Sequence, residues 1–495
     1  MQIIIFTIAI LAIFFIWARS KIGRKLSGNE FDIIIIGAGS GGLNAASFMN
    51  KAGFKTLLID KSDRNIGGDC LNFGCVPSKA LIHVARMIKN GRDVERFGLK
   101  TDGTVDIGRV VAYIKEKQDT IREDENFQAL SKKGITVKLG LAKFISSNTV
   151  ILDGQEYKAR KIIIATGSRP KELDIPGIKD VPNIFTNETI FDINFLPKKM
   201  VVIGGGPIGM ELGQAFKYLG SDVSVVVKGD SILNKEDPEV SRFIFEKLSK
   251  DGIRFYLNSQ PEKIADGNKI VIKVGADKEV SLEFDALLVA VGRFLNTEGL
   301  DLEKAGVEME GGKIKVDSYL RTTNKKVFLV GDIAGQHQFT HAAELHAKLV
   351  LRNFFSPFKK KLETDKMSWV TYTDPEIATF GLNGKDLNKK QLKYLTIRKS
   401  FKNDDRAIVD ESTEGMLKLF ISSDKKILGG TMAAKNAGEM IQELILANSA
   451  GLKINTLFNK IYPYPVASRI NRKAVSEHMA GQLTPFVKKL LRILY

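Results

Sequence analysis

Cysteine is almost absent from this chain, which has only Cys70 and Cys75 among its 495 residues. Two thiols in a chain of this length do not form the disulfide framework of a secreted protein, so we expect a reducing compartment. Two nearby cysteines are, without further context, more often inert core residues than a redox pair. The residues around these two favour a redox pair.

Acidic residues are also in short supply, since 57 Asp and Glu stand against 74 Lys and Arg and leave a net charge of +17. A positive field favours anionic partners such as nucleotide phosphates, anionic lipid headgroups or nucleic acid. No nucleic-acid module is recognisable and the lysines are spread along the chain, so we expect no nucleic-acid partner. A basic solubilised surface and a membrane-facing surface both remain open.

The apolar and charged fractions, 44% and 26%, are ordinary for a folded protein and do not support disorder. A chain of this length is too long for one hydrophobic core, and about three domains are expected.

An uncharged apolar run occupies residues 1–18 and is about long enough to cross ~30 Å of hydrocarbon. A cleaved signal peptide would place basic residues before the run, whereas here four basic residues follow it, between Arg19 and Lys25. We therefore expect a retained single-pass transmembrane helix over 1–18 and a basic tether over 19–30. The positive-inside rule then places the catalytic body on the cytoplasmic side of a membrane.

A glycine-rich turn follows the first strand-like segment, FDIIII, which begins at Phe31. Gly37, Gly39 and Gly42 have G-x-G-x-x-G spacing and precede an Ala-rich helical stretch and a second strand that ends at Asp60. This order predicts a dinucleotide fold whose helix N-terminus binds a pyrophosphate. Asp60 would accept hydrogen bonds from a ribose that carries no 2′-phosphate.

The same pattern recurs in MVVIGGGPIGMELGQAF, where Gly204, Gly206 and Gly209 take the three glycine positions. The following strand ends without an acid and leads to Lys228, a cation suited to a 2′-phosphate. We therefore expect NADPH at this second fold, with NADH possible and a solvent-facing lysine as the alternative interpretation. Two dinucleotide folds in one chain indicate electron transfer between two dinucleotides.

The two cysteines lie in GGDCLNFGCVPSKALIHVARMIK, whose apolar residues after Val76 have helical spacing. Both thiols are thus predicted near a helix N-terminus, where the helix dipole favours thiolate. Five residues of regular helix would hold the two Cα atoms more than the ~7 Å that a disulfide tolerates, so the turn at Gly74 must depart from helix. Asp69 would oppose thiolate formation at Cys70.

From Phe31 to about Ala480 the chain resembles the class I pyridine nucleotide-disulfide oxidoreductases, the family of dihydrolipoamide dehydrogenase, glutathione reductase and mercuric reductase. The redox motif GGDCLNFGCVPSKAL carries the resemblance, with Asp69 where the family usually has Thr. Further family motifs lie, in the family's order, at residues 164–167, 290–293, 327–332 and 373–376.

The resemblance implies that NADPH reduces FAD and that FAD reduces the Cys70–Cys75 disulfide. Cys75 would lie against the flavin and Cys70 would attack the substrate, while Lys79 and Glu211 match an ion pair near the flavin ring. A surface ion pair is the alternative for the last two. Besides Lys79, the implied cofactor-binding residues are Gly37, Gly39, Gly42, Asp60, Thr166, Gly167, Gly204, Gly206, Gly209, Lys228, Gly292, Arg293, Gly331 and Asp332.

The chain departs from the family near its C-terminus, where disulfide-reducing members carry a His and a Glu that orients it. Tyr464 stands at the position of the His and Arg469 at that of the Glu. A tyrosine with a pKa near 10 is a poor base at neutral pH, although it can donate a proton. Tyr464 is therefore a candidate catalytic acid.

We predict an α/β fold with two Rossmann-like nucleotide-binding domains, a C-terminal α+β dimerisation domain and the N-terminal transmembrane helix. The expected divisions are an FAD domain over 31–180 and 300–365, an NAD(P) domain over 181–299 and a dimerisation domain over 366–481. A basic amphipathic tail over 482–495 would either lie on an anionic membrane or pack on its own domain. The resemblance further implies a homodimer.

The predicted function is FAD-dependent NAD(P)H oxidoreduction through the cysteine pair to an unidentified acceptor, such as a disulfide, at the cytoplasmic membrane face. A mercuric-reductase-like metal-ion reductase is an alternative, although this chain lacks the further Cys pair that such enzymes use, and no resident metal site is predicted. A membrane-associated quinone reductase and a redox sensor with negligible turnover are the remaining alternatives.

Overall fold

The computed structural model describes residues 26–276, 278–335, 337–481 and 483–495. Three large β-sheets with flanking helices organise these residues. In chain order the helices are α1 Ser40–Lys51, α2 Gly68–Asn72, α3 Cys75–Asp93, α4 Ile107–Arg122, α5 Phe127–Lys132, α6 Pro207–Leu219, α7 Pro238–Lys250, α8 Thr340–Phe355, α9 Gly384–Lys389, α10 Asp405–Val409, α11 Ala437–Met440, α12 Gln442–Ala450, α13 Ile454–Asn459, α14 Arg469–Gly481 and α15 Pro485–Leu494.

The first sheet has seven strands in the order β3-β2-β1-β6-β5-β4, with β19 paired to the carboxyl end of β6. Its β1, β2, β3, β6 and β19 run parallel, and Ile36 lies opposite both Ile59 and Ile164. The ends of three neighbouring strands therefore meet at one edge. The strands are β1 Glu30–Ile36, β2 Thr56–Asp60, β3 Thr136–Leu139, β4 Lys143–Ser146, β5 Thr149–Leu152, β6 Gln155–Ile164 and β19 Val327–Leu329.

The second sheet is parallel and has the order β11-β10-β9-β15-β8, with an antiparallel three-stranded sheet, β12-β13-β14, beside it. Two short antiparallel pairs, β7 with β16 and β17 with β18, complete this part of the chain. The strands are β7 Ser168–Pro170, β8 Ile184–Phe185, β9 Lys199–Ile203, β10 Asp222–Val226, β11 Arg254–Tyr256, β12 Ser259–Ala265, β13 Lys269–Val274, β14 Lys278–Glu283, β15 Ala286–Val289, β16 Arg293–Leu295, β17 Met309–Glu310 and β18 Lys313–Ile314.

The third sheet is antiparallel, with the order β20-β21-β24-β23-β22. Its strands are β20 Ser368–Thr371, β21 Glu376–Gly381, β22 Tyr394–Ser400, β23 Met416–Ser422 and β24 Ile427–Ala434. The chain thus builds one parallel sheet, inserts a second, returns to the first through β19 and ends in an antiparallel domain. This is the predicted α/β architecture, and the residue boundaries proposed for the domains stay predictions.

The helix that begins at Cys75 is the structural link between the two nucleotide-binding units. Buried side chains of α3, among them Leu81 and Ala85, share one hydrophobic core with Met210 and Phe216 of α6. That core continues to Ile377 in the third sheet. The redox segment is therefore packed against all three parts of the molecule and has little freedom to move independently.

The predicted transmembrane helix requires a correction. Among the described residues, no helix is both long and apolar enough to cross a membrane. The fold class is therefore two nucleotide-binding units and an antiparallel domain, without support for the membrane-spanning element. Residues 1–18, to which that helix was assigned, lie outside the described residues.

Candidate active site

The turn between β1 and α1 is built from glycines because other residues would collide with backbone. A Cβ at Gly37, which has φ +106°, would lie 2.3 Å from the Ala165 carbonyl oxygen, and one at Gly42 would lie 1.9 Å from the oxygen of Gly37. A Cβ at Gly39 would meet nothing nearer than 3.6 Å. The missing side chain at Gly42 thus lets the helix pack closely on the strand. Gly39 leaves open space beside the first backbone N–H groups of α1, which have no side-chain cap. Such a helix start fits a pyrophosphate.

Asp60 ends β2 beside this turn, as predicted for a ribose-binding acid. Its carboxylate oxygens accept hydrogen bonds from the backbone N–H groups of Ala38, at 2.6 Å, and Lys61, at 2.7 Å. The carboxylate borders the cavity and, as an acceptor-only group, can accept a further hydrogen bond from a ligand hydroxyl. Burial nonetheless raises the pKa of Asp60 above its ordinary value.

The second glycine turn repeats the geometry of the first. A Cβ at Gly204 would lie 2.3 Å from the oxygen of Ala290, and one at Gly209 would lie 2.2 Å from the oxygen of Gly204. Gly206, which precedes α6, has open space around its Cα. Lys228 is exposed two residues after β10 and borders the same space. Both turns therefore fit dinucleotides.

One cavity of about 2000 Å³ connects the two turns with the cysteine pair. Drug-sized ligands occupy pockets of roughly 300–1,000 Å³, so this volume has room for more than one nucleotide. The tightly packed Gly42 and Gly209 do not border the cavity, and their contacts fit the close packing of helix on strand, so a part in cofactor binding stays a prediction for these two residues. Predicted residues that do border it include Gly37, Gly39, Asp60, Cys70, Cys75, Lys79, Thr166, Gly167, Gly204, Gly206, Glu211, Lys228, Gly292, Arg293, Gly331 and Asp332.

The two cysteines belong to two different helices. Cys70 lies in the short α2, and Cys75 is the first residue of α3. Between them Gly74 has φ −123° and ψ −113°, which breaks the helix as the spacing required. A Cβ at Gly74 would approach the Asp69 carbonyl oxygen to 2.9 Å, so glycine is needed for this turn. Both cysteines are free thiols in this structure.

The two thiols differ in proton affinity because one donates a hydrogen bond to the other. The bond from Cys70, helped by the Thr340 hydroxyl and the Lys79 charge, lowers the pKa of Cys75 to about 6 against opposing burial. The same bond and burial raise the pKa of Cys70 far above its ordinary value. Thr340 Oγ1 lies 3.4 Å from Cys75 Sγ. These interactions favour a thiolate at Cys75 with the shared proton on Cys70.

Lys79 and Glu211 form the predicted ion pair, with 2.6 Å between Lys79 Nζ and a Glu211 carboxylate oxygen. The second oxygen of Glu211 accepts the backbone N–H of Tyr372 at 2.8 Å. Burial alone would lower the pKa of Lys79, but the adjacent Glu211 carboxylate outweighs burial and raises it. The cation is one turn beyond Cys75 and borders the cavity, so the surface-pair interpretation is excluded.

Arg293 and Asp332 meet through a residue that the sequence did not single out. Ser168 Oγ accepts from Arg293 Nε at 2.7 Å and donates to Asp332 at 2.5 Å. Arg293 also pairs with Asp69 at 3.2 Å, which neutralises the acid beside Cys70. Burial, opposed chiefly by Arg293, raises the pKa of Asp69.

The three histidines considered as replacement bases have other surroundings. His346 is fully buried and accepts the Gly331 backbone N–H at 3.3 Å, and burial lowers its pKa to about 4. His341 Nε2 lies 2.6 Å from the Ser368 carbonyl oxygen, and His337 borders the cavity with a pKa lowered by burial. None of these three has a hydrogen bond to either thiol among the contacts of the described residues.

Tyr464 does not border the cavity of its own chain. Its side chain is exposed, its ring lies 5.1 Å from the Arg469 guanidinium, and a hydrogen bond to Asp405 raises the pKa of the phenol. Asp405 is in turn ion-paired with Lys473. Within one protomer the structure therefore does not bring Tyr464 to the cysteine pair, and its catalytic role stays a prediction.

Two dinucleotide-binding turns, a polarised thiol pair and a lysine paired with a buried glutamate, all around one cavity, define a flavin- and nicotinamide-dependent dithiol oxidoreductase. The pyridine nucleotide-disulphide oxidoreductase model matches residues 31–347, and the dimerisation-domain model of the same family matches residues 367–475. The chain belongs to this family. It is an enzyme that acts on sulfur groups with FAD and NAD(P)H as cofactors, as predicted.

Curated relatives span most of the chain. It is 31% identical over 445 residues to the mercuric reductase of Lysinibacillus sphaericus, which covers 89% of this chain and 81% of that protein. It is 33% identical over 448 residues to the dihydrolipoyl dehydrogenase of Chlamydia muridarum, which covers 89% and 95%.

A solved structure has the same fold. The HOCl-induced flavoprotein disulfide reductase RclA from Escherichia coli matches with a TM-score of 0.81 and 27% identity, over 90% of this chain and 99% of that one. The same reductase is also known as a Cu(II) complex, which matches with a TM-score of 0.81.

Replacing Thr340 by Val is expected to raise the pKa of Cys75, because the substitution removes a hydroxyl that stabilises the thiolate. A thiolate forms above its pKa, so the long-wavelength thiolate-to-flavin absorbance of the two-electron-reduced protein should develop at a higher pH. A hydrogen bond to a charged group is worth about 1.5 kcal/mol, which corresponds to about one pH unit. Thr340→Ser keeps the hydroxyl and should titrate like the native protein; an unshifted Thr340→Val curve would contradict the assignment.

Proposed function

We propose that this enzyme reduces a disulfide-bonded acceptor with electrons from NADPH, passed through FAD and the Cys70–Cys75 pair. The observation that carries the proposal is the shared cavity, in which a thiol pair of unequal proton affinity lies between two dinucleotide-binding turns. The overall reaction is NADPH + H⁺ + R–S–S–R → NADP⁺ + 2 R–SH.

The two thiols have different roles, which their neighbouring residues determine. When bound, FAD supplies the two-electron chemistry that links hydride transfer to disulfide reduction. Cys75 stays ionised because the Cys70 hydrogen bond, Thr340 and Lys79 stabilise its thiolate. Lys79 remains a cation through Glu211, so it can stabilise negative charge that develops beside Cys75.

Cys70 is the thiol that exchanges with the acceptor. Its proton passes to the Cys75 thiolate along the hydrogen bond between the two cysteines, its sulfur attacks one acceptor sulfur, and a mixed disulfide forms as the first R–S⁻ leaves. The Cys75 thiolate then attacks the Cys70 sulfur, which releases the second R–S⁻ and re-forms the Cys70–Cys75 disulfide. The two departing thiolates take up two protons. Cys75 gives up the one that it received from Cys70 when it attacks, and the other is supplied from solution.

We further propose that Tyr464 of a homodimer partner donates that proton. Its exposed phenol is held by Asp405, which raises its pKa and keeps it protonated, and its ring rests against Arg469. Asp405 thus takes the orienting role that a Glu has in disulfide-reducing relatives. The family's dimerisation domain at 367–475, which includes Tyr464, supports a homodimer in which this exposed side chain faces the other subunit.

A soft-metal reductase is the second candidate, favoured by the likeness to mercuric reductases and to the structure of RclA with Cu(II). Among the described residues, no group of three or more His, Cys, Asp or Glu side chains could hold a metal ion. A metal substrate would therefore depend on Cys70 and Cys75 alone, whose thiolates suit soft ions.

An anaerobic NADPH titration of the native enzyme should show uptake of two electrons by FAD and two by the disulfide, whereas Cys70→Ser should take up two in all.

Steady-state turnover is then measured with each of several acceptors, namely a panel of disulfides, Hg(II), Cu(II) and a quinone, and the rates are compared. Loss of disulfide turnover by more than about 10³-fold in Cys70→Ser supports the proposal. Turnover with the metals and not the disulfides favours the second candidate. If Cys70→Ser keeps full quinone turnover and the native enzyme reduces no disulfide, both the disulfide-reductase and the soft-metal-reductase proposals are wrong.

A mixed dimer of Cys70→Ser and Tyr464→Phe subunits tests the role of Tyr464. If the phenol acts across the interface, one site of the mixed dimer has both changes and the other has neither. We therefore expect the purified mixed dimer to recover about half of native disulfide turnover, while the Tyr464→Phe homodimer is slowed by about 10²-fold, as for loss of a general acid. A mixed dimer no faster than half of that homodimer rate would place the phenol in its own subunit's site or outside catalysis. Tyr462→Phe is the matched control, because its buried phenol bonds Glu443.

NADPH is proposed over NADH because the exposed Lys228 borders the second nucleotide turn where NADH-specific folds carry an acid. Lys228→Asp should raise KM for NADPH by at least about 10-fold and leave or lower KM for NADH, since it replaces attraction to a 2′-phosphate by repulsion. Steady-state kinetics with both cofactors measure this. Lys179→Asp, an equal charge change at an exposed site off the cavity, should alter neither value. An equal rise in KM for NADPH and for NADH in Lys228→Asp would show that Lys228 does not recognise the 2′-phosphate.

A further inference from the structure

The C-terminal helix α15, Pro485–Leu494, is well formed but is buried by no other part of the chain that the structure describes. Thr484 caps its start by accepting the Val487 N–H at 3.3 Å, and Pro485 occupies its first turn. None of its residues is buried, and the side chains of Phe486, Ile493 and Leu494 are more than two-thirds exposed. Of the two alternatives for this tail, these exposures favour the one in which it does not pack on its own domain.

Apolar and basic side chains of α15 lie on opposite faces. At 100° per residue the six apolar side chains span an arc of about 160°, and all three cations fall outside it. The apolar set is Phe486, Val487, Leu490, Leu491, Ile493 and Leu494. The cations are Lys488, Lys489 and Arg492.

The polar face has a single sign of charge. No acidic side chain follows Glu477 in the sequence. Within the part of the chain that the structure describes, none of the three cations takes part in an ion pair. A wide apolar face would suit many partners, but three unpaired cations beside it require a partner that is both apolar and anionic.

We propose that α15 binds the surface of an anionic lipid bilayer as an in-plane amphipathic helix. Ten residues span only about 15 Å, half the hydrocarbon thickness, so the helix can lie in the interface and cannot cross it. Its apolar face would enter the boundary between headgroups and acyl chains while the cations contact lipid phosphates. This inference concerns where the enzyme is held and does not depend on the identity of its acceptor.

The test uses the full-length holoenzyme with Trp introduced at position 486. Emission of Phe486→Trp, after subtraction of the native spectrum, is recorded with vesicles of phosphatidylcholine and with vesicles containing about a third phosphatidylglycerol. We expect a shift to shorter wavelength and quenching by brominated lipid on the anionic vesicles only. Leu395→Trp, at an exposed leucine on β22, is the matched control and should not respond.

Charge is tested in the same Phe486→Trp background. Exchanging Lys488, Lys489 and Arg492 for Gln should weaken partition by on the order of 100-fold, since each cation near an anionic surface contributes about fivefold. A triple Lys→Gln change at residues 359–361 removes the same charge elsewhere and should have little effect.

Three outcomes would overturn the proposal. They are an unresponsive Trp at 486, an equal response on neutral vesicles, and a concentration-dependent shift without vesicles. The last would instead assign the apolar face to a second copy of this chain.

Discussion

One buried carboxylate connects the redox helix, the second nucleotide-binding unit and the antiparallel domain. Glu211, on the helix after the second glycine turn, accepts Lys79 from the redox helix with one oxygen and the Tyr372 backbone N–H with the other. A buried carboxylate is costly unless both oxygens are satisfied, so each partner constrains the other two. Arg86, further along the redox helix, binds the Tyr372 and Thr373 carbonyl oxygens and reinforces the junction.

That junction fixes the position of the Lys79 cation relative to the Cys75 sulfur. Cys75 begins the helix whose next turn carries Lys79, so the cation is held at a fixed distance from the sulfur by helix geometry. The hydrogen bond from Cys70 then divides the pair into a thiolate and a thiol. Because the surroundings of Cys75 and Lys79 are built from three parts of the chain, the thiolate side of the site is rigid.

The acceptor side is where this chain differs from disulfide-reducing relatives. The usual His and Glu are replaced by Tyr464 and Arg469, and Asp405 from a separate helix supplies the hydrogen bond to the phenol. A protonated phenol can deliver a proton but is a poor acceptor of one near neutral pH. If Tyr464 acts at the site as proposed, its phenol would therefore suit the protonation of departing thiolates better than the activation of thiols.

The sequence by itself determined the two glycine turns, the cysteine pair and the order of the sheets. Strand, turn and helix are adjacent in the chain there, and steric limits at Gly37 or Gly204 act over a few residues. The family resemblance extended this to Lys79 with Glu211. Gly42 and Gly209 lie against the backbone of Gly37 and Gly204, and their part in cofactor binding stays a prediction. The apolar run at 1–18 lies outside the described residues, among which no helix is long and apolar enough to span a membrane.

Tertiary structure alone decided which distant groups tune the site. Thr340 reaches Cys75 across 265 positions of sequence, Ser168 joins Arg293 to Asp332, and Arg293 neutralises Asp69. It also shows that the amphipathic helix Pro485–Leu494 buries none of its side chains against the described residues. A hydroxyl or a salt bridge leaves no periodic pattern in a sequence, since its partner is selected by packing between domains.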